Sequence, residues 1–372
     1  MVIVRFSASK VALVTGLHEF GDIMEAFLEC VYQDREELLV SDAARLQLHL
    51  VSKDEELELL VQKSGAAAAP QLRAALCWAR DKVTPANMDV VQRLLIDVDQ
   101  RLKVAHKSKK LANDEAQEVR KLLAEKIHTS AGTRNELLAL EAYERQTGSK
   151  VRHTNEHFYF LTFPLLPKTN RVKNAEEVSI DYSLLDEQCQ RTRIPRKQRM
   201  LESETMNLTM EDEKEERSTD GYFSICGMVD GITDALTISA DDEWEMMPVV
   251  VEIKNRMRGF RNPPPLFDHI QLAVYMKMLG VEHGDLVECI YNATSNPTIR
   301  VSRVSLGVAP LCLPMSSTGR GRDIWTEVIV PRLYAFTATV QKLRDEELLR
   351  LAFLNGTKEE RLAIVRAECD FL

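Results

Sequence analysis

Asp230, Glu252, Lys254 and Gln271 follow one another along a single stretch of the chain, in the segments Gly-Met-Val-Asp230-Gly, Val-Val-Val-Glu252-Ile-Lys254 and His-Ile-Gln271-Leu-Ala-Val-Tyr275. Two carboxylates can hold a divalent cation, a lysine beside them can orient a water, and a helix can close over both. Those are the groups a metal-dependent phosphodiesterase needs. Residues two apart on a strand share a face, so Glu252 and Lys254 project together while Val249, Val251 and Ile253 turn away. Taken alone, such a Glu-x-Lys equally describes an ion pair on an edge strand. Asp230 adds a second acid. It ends an adjacent predicted strand, Gly231 after it permits a tight turn and close backbone approach, and antiparallel pairing would bring its carboxylate to Glu252 and Lys254. Neighbouring acids repel unless positive charge lies between them, which a divalent cation and Lys254 would supply.

Two further polar residues sit on apolar helical stripes. Glu136 shares a face with Ala139, Leu140 and Tyr143, and Gln271 shares one with Phe267, Val274 and Met278. A carboxylate on a core-facing stripe is costly unless paired or metal-bound. A buried Glu136 satisfied by an arginine and a buried Gln271 acting as an ordinary structural amide remain open readings.

These residues require strands and helices to hold them. Residues 7–33 read as two helices, stopped at Gly16 and resumed from Ile23 to Tyr32. Residues 34–128 keep a helical pattern, with Val91, Leu94, Leu95, Val98 and Leu102 on one stripe, and read as a helical insertion. A helix over 134–147 and a strand over His157–Phe163 follow. Residues 165–219 hold few aromatics, the basic group Arg191 to Arg199 and an acidic run from Glu202 to Glu216, and read as a low-order charged insertion. Strand patterns return at Tyr222–Met228, Pro248–Lys254, Leu286–Tyr291 and Thr298–Ser305, with a helix over Phe267–Leu279 and a long C-terminal helix kinked at Pro331. Strands interleaved with helices predict one α/β domain over 1–372 carrying insertions.

The bulk numbers narrow the setting. The 372 residues are 45% hydrophobic and 28% charged, the balance of a globular chain, and no apolar run approaches the ~20 residues of a membrane span. The first residues contain no apolar stretch long enough for a secretory signal. Seven cysteines without a Cys-x-x-Cys pair argue against zinc ribbons, iron–sulfur clusters and a secreted disulfide framework, so a reducing intracellular compartment is expected. With a net charge of −9, any nucleic-acid surface must be a local basic patch on an acidic body.

The segment Gly132-Thr-Arg-Asn-Glu136-Leu-Leu-Ala-Leu-Glu-Ala-Tyr143-Glu-Arg-Gln-Thr-Gly148 resembles the first motif of the phage lambda exonuclease and YqaJ-type viral recombinase family. Arg5-Phe-Ser-Ala-Ser9 is similar to the family's Ile-Thr-Ala-Ser opening, and Asp230-Gly, Glu252-Ile-Lys254 and Gln271-x-x-x-Tyr275 follow in the family order, as does the Val330-Pro-Arg-Leu333 helix. Val229 stands where the family carries proline. The resemblance covers about residues 3–33, 130–163, 220–306 and 322–345. It implies a PD-(D/E)XK restriction-endonuclease-like core, a central mixed β-sheet flanked by helices. It also implies a Mg²⁺-dependent DNA exonuclease, with Mn²⁺ as substitute, working 5′ to 3′ on duplex ends in recombination or repair. Asp230, Glu252 and the Ile253 carbonyl would hold metal, with Glu136 anchoring a second metal or its waters; Lys254 would orient and help deprotonate the attacking water, and Gln271 would position that water or Lys254; Ser9 and Arg5 would hold a backbone phosphate. A homotrimer and a single-strand annealing protein are the partners the resemblance implies besides DNA. A RecB-type single-strand exonuclease and a catalytically silent interaction scaffold are the alternatives.

Overall fold

Two four-stranded mixed sheets organise the protein. The first joins β1 (Val4–Ser7), β2 (His157–Pro164), β3 (Gln190–Pro195) and β4 (Gly221–Gly227) in the order β1-β4-β2-β3, with β1 parallel to β4 and the other pairs antiparallel. The second joins β5 (Gly231–Ile238), β6 (Trp244–Arg256), β7 (His283–Ile290) and β8 (Thr298–Ser305) in chain order, with only β6 and β7 parallel. A two-stranded pair, β9 (Cys312–Leu313) and β10 (Arg322–Asp323), lies apart. The computed structural model describes residues 3–81, 86–166, 180–196, 221–238, 242–257, 259–291, 297–313 and 322–372. The expected single central sheet is therefore two sheets, divided at the turn after β4.

The helices, in order, are α1 (Val11–Val14), α2 (Ile23–Val31), α3 (Glu36–Arg45), α4 (Lys53–Lys63), α5 (Ala69–Arg80), α6 (Met88–Lys107), α7 (Asn113–Thr147), α8 (Tyr182–Glu187), α9 (Leu266–Leu279), α10 (Val330–Asp345), α11 (Glu347–Asn355) and α12 (Lys358–Arg366). No helix among the described residues is long and apolar enough to cross a membrane.

The β-branched run Val249-Val250-Val251 has no exposed surface because β6 is covered on both sides. Val251 and Ile253 pack with Ala139, Leu140 and Tyr143 of α7, whereas Val250 packs with Ile270, Leu272 and Val274 of α9 in the main core. Pro248 is tolerated in this central strand because β7 joins only from Val249 onward. The helix α9 ends on Gly280 in the left-handed conformation, the usual stop for a buried helix.

Four expectations need correction. The predicted helical insertion over 34–128 holds two units: α3 packs its Leu38 and Leu39 on the main core, while α4, α5, α6 and the first half of α7 share a separate apolar core built on Leu57, Leu72, Val91, Leu123 and Ile127. The helix expected at 134–147 is the second half of a single 35-residue helix. Within the low-order charged insertion expected over 165–219, the described residues 180–196 form α8 and the edge strand β3; residues 167–179 and 197–220 lie outside the described residues. At the C-terminal helix, which does begin near Trp325, the irregularity expected at Pro331 starts one turn earlier, as a π-helical turn (Trp325–Ile329) that runs directly into α10.

Candidate metal centre and active site

Asp230 lies in the turn between β4 and β5, so it precedes the strand that pairs with β6 and does not end one, as the sequence reading had it. That position still brings it to Glu252: Gly231 pairs with Val251, and the Asp230 Oδ2 accepts the Ile253 amide at 2.7 Å. Gly231 is required by close approach, because a Cβ there would lie 2.1 Å from a methyl of Val151. The Ile253 backbone thus meets Asp230 through its N–H.

Glu252 is 3% exposed, and its Oε1 accepts the Lys254 ammonium at 2.9 Å. Its other oxygen, Oε2, is buried and has no hydrogen-bond partner among the described residues. A buried carboxylate oxygen left without a donor costs of the order of 1–3 kcal/mol, and more when charged. Lys254 reaches across to α9, where it donates to Gln271 Oε1 at 2.6 Å and lies 3.9 Å from Asp268. Gln271 in turn faces the Tyr275 hydroxyl at 3.4 Å. Gln271, read as a polar residue on an apolar face, is therefore a hydrogen-bond partner of Lys254.

Glu136 arrives from α7, on the opposite side of the sheet, and accepts the side-chain amide of Asn155. Asn155 also donates its backbone N–H to the Val229 carbonyl at 3.1 Å, which ties Glu136 to the residue before Asp230. Tyr291 and Asn255 hold α7 in place by donating to the carbonyls of Asn135 and Gly132 at 2.6 and 2.9 Å.

The three acids feel one another. Burial, then the Glu136 charge, pushes the Asp230 carboxyl well above the usual carboxylate range, against the Ile253 amide and Lys254. Burial and Asp230 do the same to Glu252. Burial also raises Glu136, opposed by Asn155 and reinforced by Glu252. For Lys254 burial disfavours the charge, yet Glu252 and Asp268 outweigh it and raise its pKa, so the ammonium persists. The oxygen-only donor set, with one buried oxygen unpartnered and mutual repulsion unrelieved, fits a hard divalent cation such as Mg²⁺. The three carboxylates do not converge into a tight trio; among the described residues the one trio with ligand atoms within 4.8 Å of one another is His153, Glu156 and His157.

Of the residues expected to hold phosphate, Ser9 lies on the turn Ala8–Lys10, which packs against α9, the helix that carries Gln271. Arg5 on β1 is ion-paired with Asp34, and its backbone is clamped by the Gln33 amide. Ser9 is exposed and shares a hydrogen bond with Ser7 at 3.1 Å. Three contributors escaped the sequence reading. Asn155 lies in a loop, Asp268 in the acidic first turn of α9 and Arg196 in a run of charges, and none of these settings marks a site. Arg196 in fact lies near enough to Glu136 to favour its charged form. Beyond the end of β6, a cleft of about 500 Å³ opens toward the helical block, lined by His128, Asn255, Arg256 and Arg261 among others. Comparison of this chain with protein families, with characterised proteins and with solved structures finds no match.

Proposed function

We propose that this protein is a Mg²⁺-dependent DNA nuclease of the PD-(D/E)XK kind, an exonuclease that hydrolyses phosphodiester bonds from the 5′ ends of linear duplex. The observation that carries the reading is the buried Oε2 of Glu252 beside Asp230, without a partner among the described residues, with Lys254 and Gln271 fixed at its flank. Asp230 and Glu252 would hold the ion, with Glu136 anchoring its waters or a second ion. When bound, the cation would act as a Lewis acid on the phosphate and lower the pKa of a water.

The chain's own groups divide the remaining work. Lys254, kept protonated by Glu252 and Asp268, orients a water and offsets charge growing on the phosphate; it is not itself the base. Gln271 fixes the Lys254 side chain through its amide oxygen, so the ammonium is held between Gln271 and Glu252. Asp268 is shared between Lys254 and Arg256, so it holds the lysine at the mouth of the site. Arg191, Arg193 and Arg196, exposed along and just after edge strand β3, give the acidic body the local basic rim that DNA affinity calls for.

The test is release of nucleotides from 5′-phosphorylated linear duplex with Mg²⁺, then Mn²⁺, by the full chain. The expected result is metal-dependent release that disappears in Lys254→Ala while DNA binding survives. Preference for single strands would move the reading to a RecB-type enzyme. Absence of turnover with either metal and any DNA would overturn it in favour of an interaction scaffold.

A further inference from the structure

We propose that His153, Glu156 and His157 form a second metal site of different chemistry, one that takes Zn²⁺. One ligand atom from each of these three side chains lies within 4.8 Å of the others. Two imidazoles and a carboxylate make the His₂Glu set of an open zinc site, with room for a fourth ligand from solvent. The acidic centre offers oxygen alone. Nitrogen donors favour zinc-class ions and oxygen donors magnesium, so the two sites would sort metals by donor chemistry.

The site is built by the loop joining α7 to β2. His153 and Asn155 both take positive φ, at 58° and 51°, which folds the loop back so that residue 153 meets residues 156 and 157. His157 begins β2 and is pinned opposite Pro195 of β3, while the Arg196 amide donates to the Glu156 carbonyl at 2.8 Å. His153 Nδ1 and Glu156 Oε2 lie 3.0 Å apart, and the two histidine rings stand 5.9 Å between centroids.

A simple hydrogen bond between His153 and Glu156 explains two of the three groups and leaves His157 unexplained. The Nδ1 of His157 is buried and has no hydrogen-bond partner among the described residues. A ring nitrogen shut off from water in this way is expected to have an acceptor, a donor or a metal. The side chains of His153 and Glu156 are 42% and 57% exposed, so an ion can reach the cluster from solvent. Between the ligands sits Asn155, which holds Glu136 and the Val229 carbonyl; an ion here would staple the loop that sets Glu136.

The experiment measures zinc alone and not cleavage, so its outcome is independent of the nuclease reading. The full chain, stripped with a chelator and carrying Cys77→Ser to remove an exposed thiol, is titrated with Zn²⁺ against a chromophoric chelator. Co²⁺ substitution supplies a visible spectrum as a second readout. One ion per chain is expected, retained when Asp230→Asn and Glu252→Gln are combined. His153→Ala and Glu156→Gln, both altering exposed side chains, should each weaken binding at least ~100-fold with the metal-free melting temperature unchanged. Zinc binding undiminished in these two variants, lost instead with the acidic pair, or absent from the parent would overturn the site.

Discussion

Glu252 and Glu288 occupy neighbouring strands of the second sheet, and both are buried, at 3% and 0% exposure. Glu288 stands opposite Lys254 across the β6–β7 ladder, so the two carboxylates share a face of the sheet. Their surroundings differ sharply. Glu288 receives Arg256 at 2.9 Å on one oxygen and Arg300 on the other. Asp285, three residues earlier on β7 and so on the α7 side, is likewise closed by Arg303 and by the Tyr143 hydroxyl at 2.6 Å. Glu252 has Lys254 on one oxygen and, among the described residues, no partner on the other, with Asp230 for a neighbour. The fold therefore closes both oxygens of Glu288 and Asp285 and, among the described residues, closes only one of Glu252. That contrast separates a carboxylate kept for architecture from one kept for a ligand.

The largest effect should come from the unneutralised side. Glu252→Gln is expected to lower metal-dependent cleavage by ~10³-fold or more, the scale of losing an electrostatic contact to the transition state. Its thermal stability should hold or rise, because a repelled buried charge is removed. A large drop in melting temperature would break the comparison. Next in size is Glu288→Ala, which strands two arginines and should cost about 3–5 kcal/mol in urea unfolding with no selective effect on metal affinity.

A smaller, diagnostic effect concerns pH. Carboxyls raised in the folded state bind more protons folded than unfolded, so they oppose folding as they ionise. Stability of the metal-free protein should therefore decline as pH climbs from the ordinary carboxylate range of about 4 toward and past neutrality. Mg²⁺ should reverse the decline, raising the melting temperature more at about pH 8 than at about pH 5, by a few degrees for each ~1 kcal/mol of binding. Equal Mg²⁺ effects at both pH values would count against the acidic centre. The smallest effect is expected for Asn155→Ala. It frees Glu136 and should weaken activity roughly tenfold and stability by ~1 kcal/mol, read by cleavage and urea midpoint together.

The order Asp230, Glu252, Lys254, Gln271 was legible because each carries a local signal: an acid before glycine, two polar residues after an apolar strand, an amide on an apolar helix face. The strand Thr298–Ser305 and the helix over Phe267–Leu279 were legible for the same reason. Five strands were not, and two of these, β9 and β10, are only two residues long. β1 is four residues long and ran straight into a helix, β5 carries Thr233, Asp234 and Thr237, and β3 is an arginine-rich edge with one half-buried side chain, Ile194. The unity of α7 was hidden because its apolar stripe changes partner midway, from the helical block to the sheet, so no single period runs its length. Asn155 could not be read at all, since a loop asparagine at positive φ looks like any turn residue.

That unbroken helix constrains how the protein can be trimmed. At about 1.5 Å per residue its 35 residues make a rod of roughly 50 Å. Glu136 rides on the same rod as Leu123 and Ile127, which the helical block covers. Excising that block as though it were a surface loop would bare a greasy shaft and let its far end swing. A minimal version must therefore shorten the rod itself and give it a fresh cap upstream of Gly132.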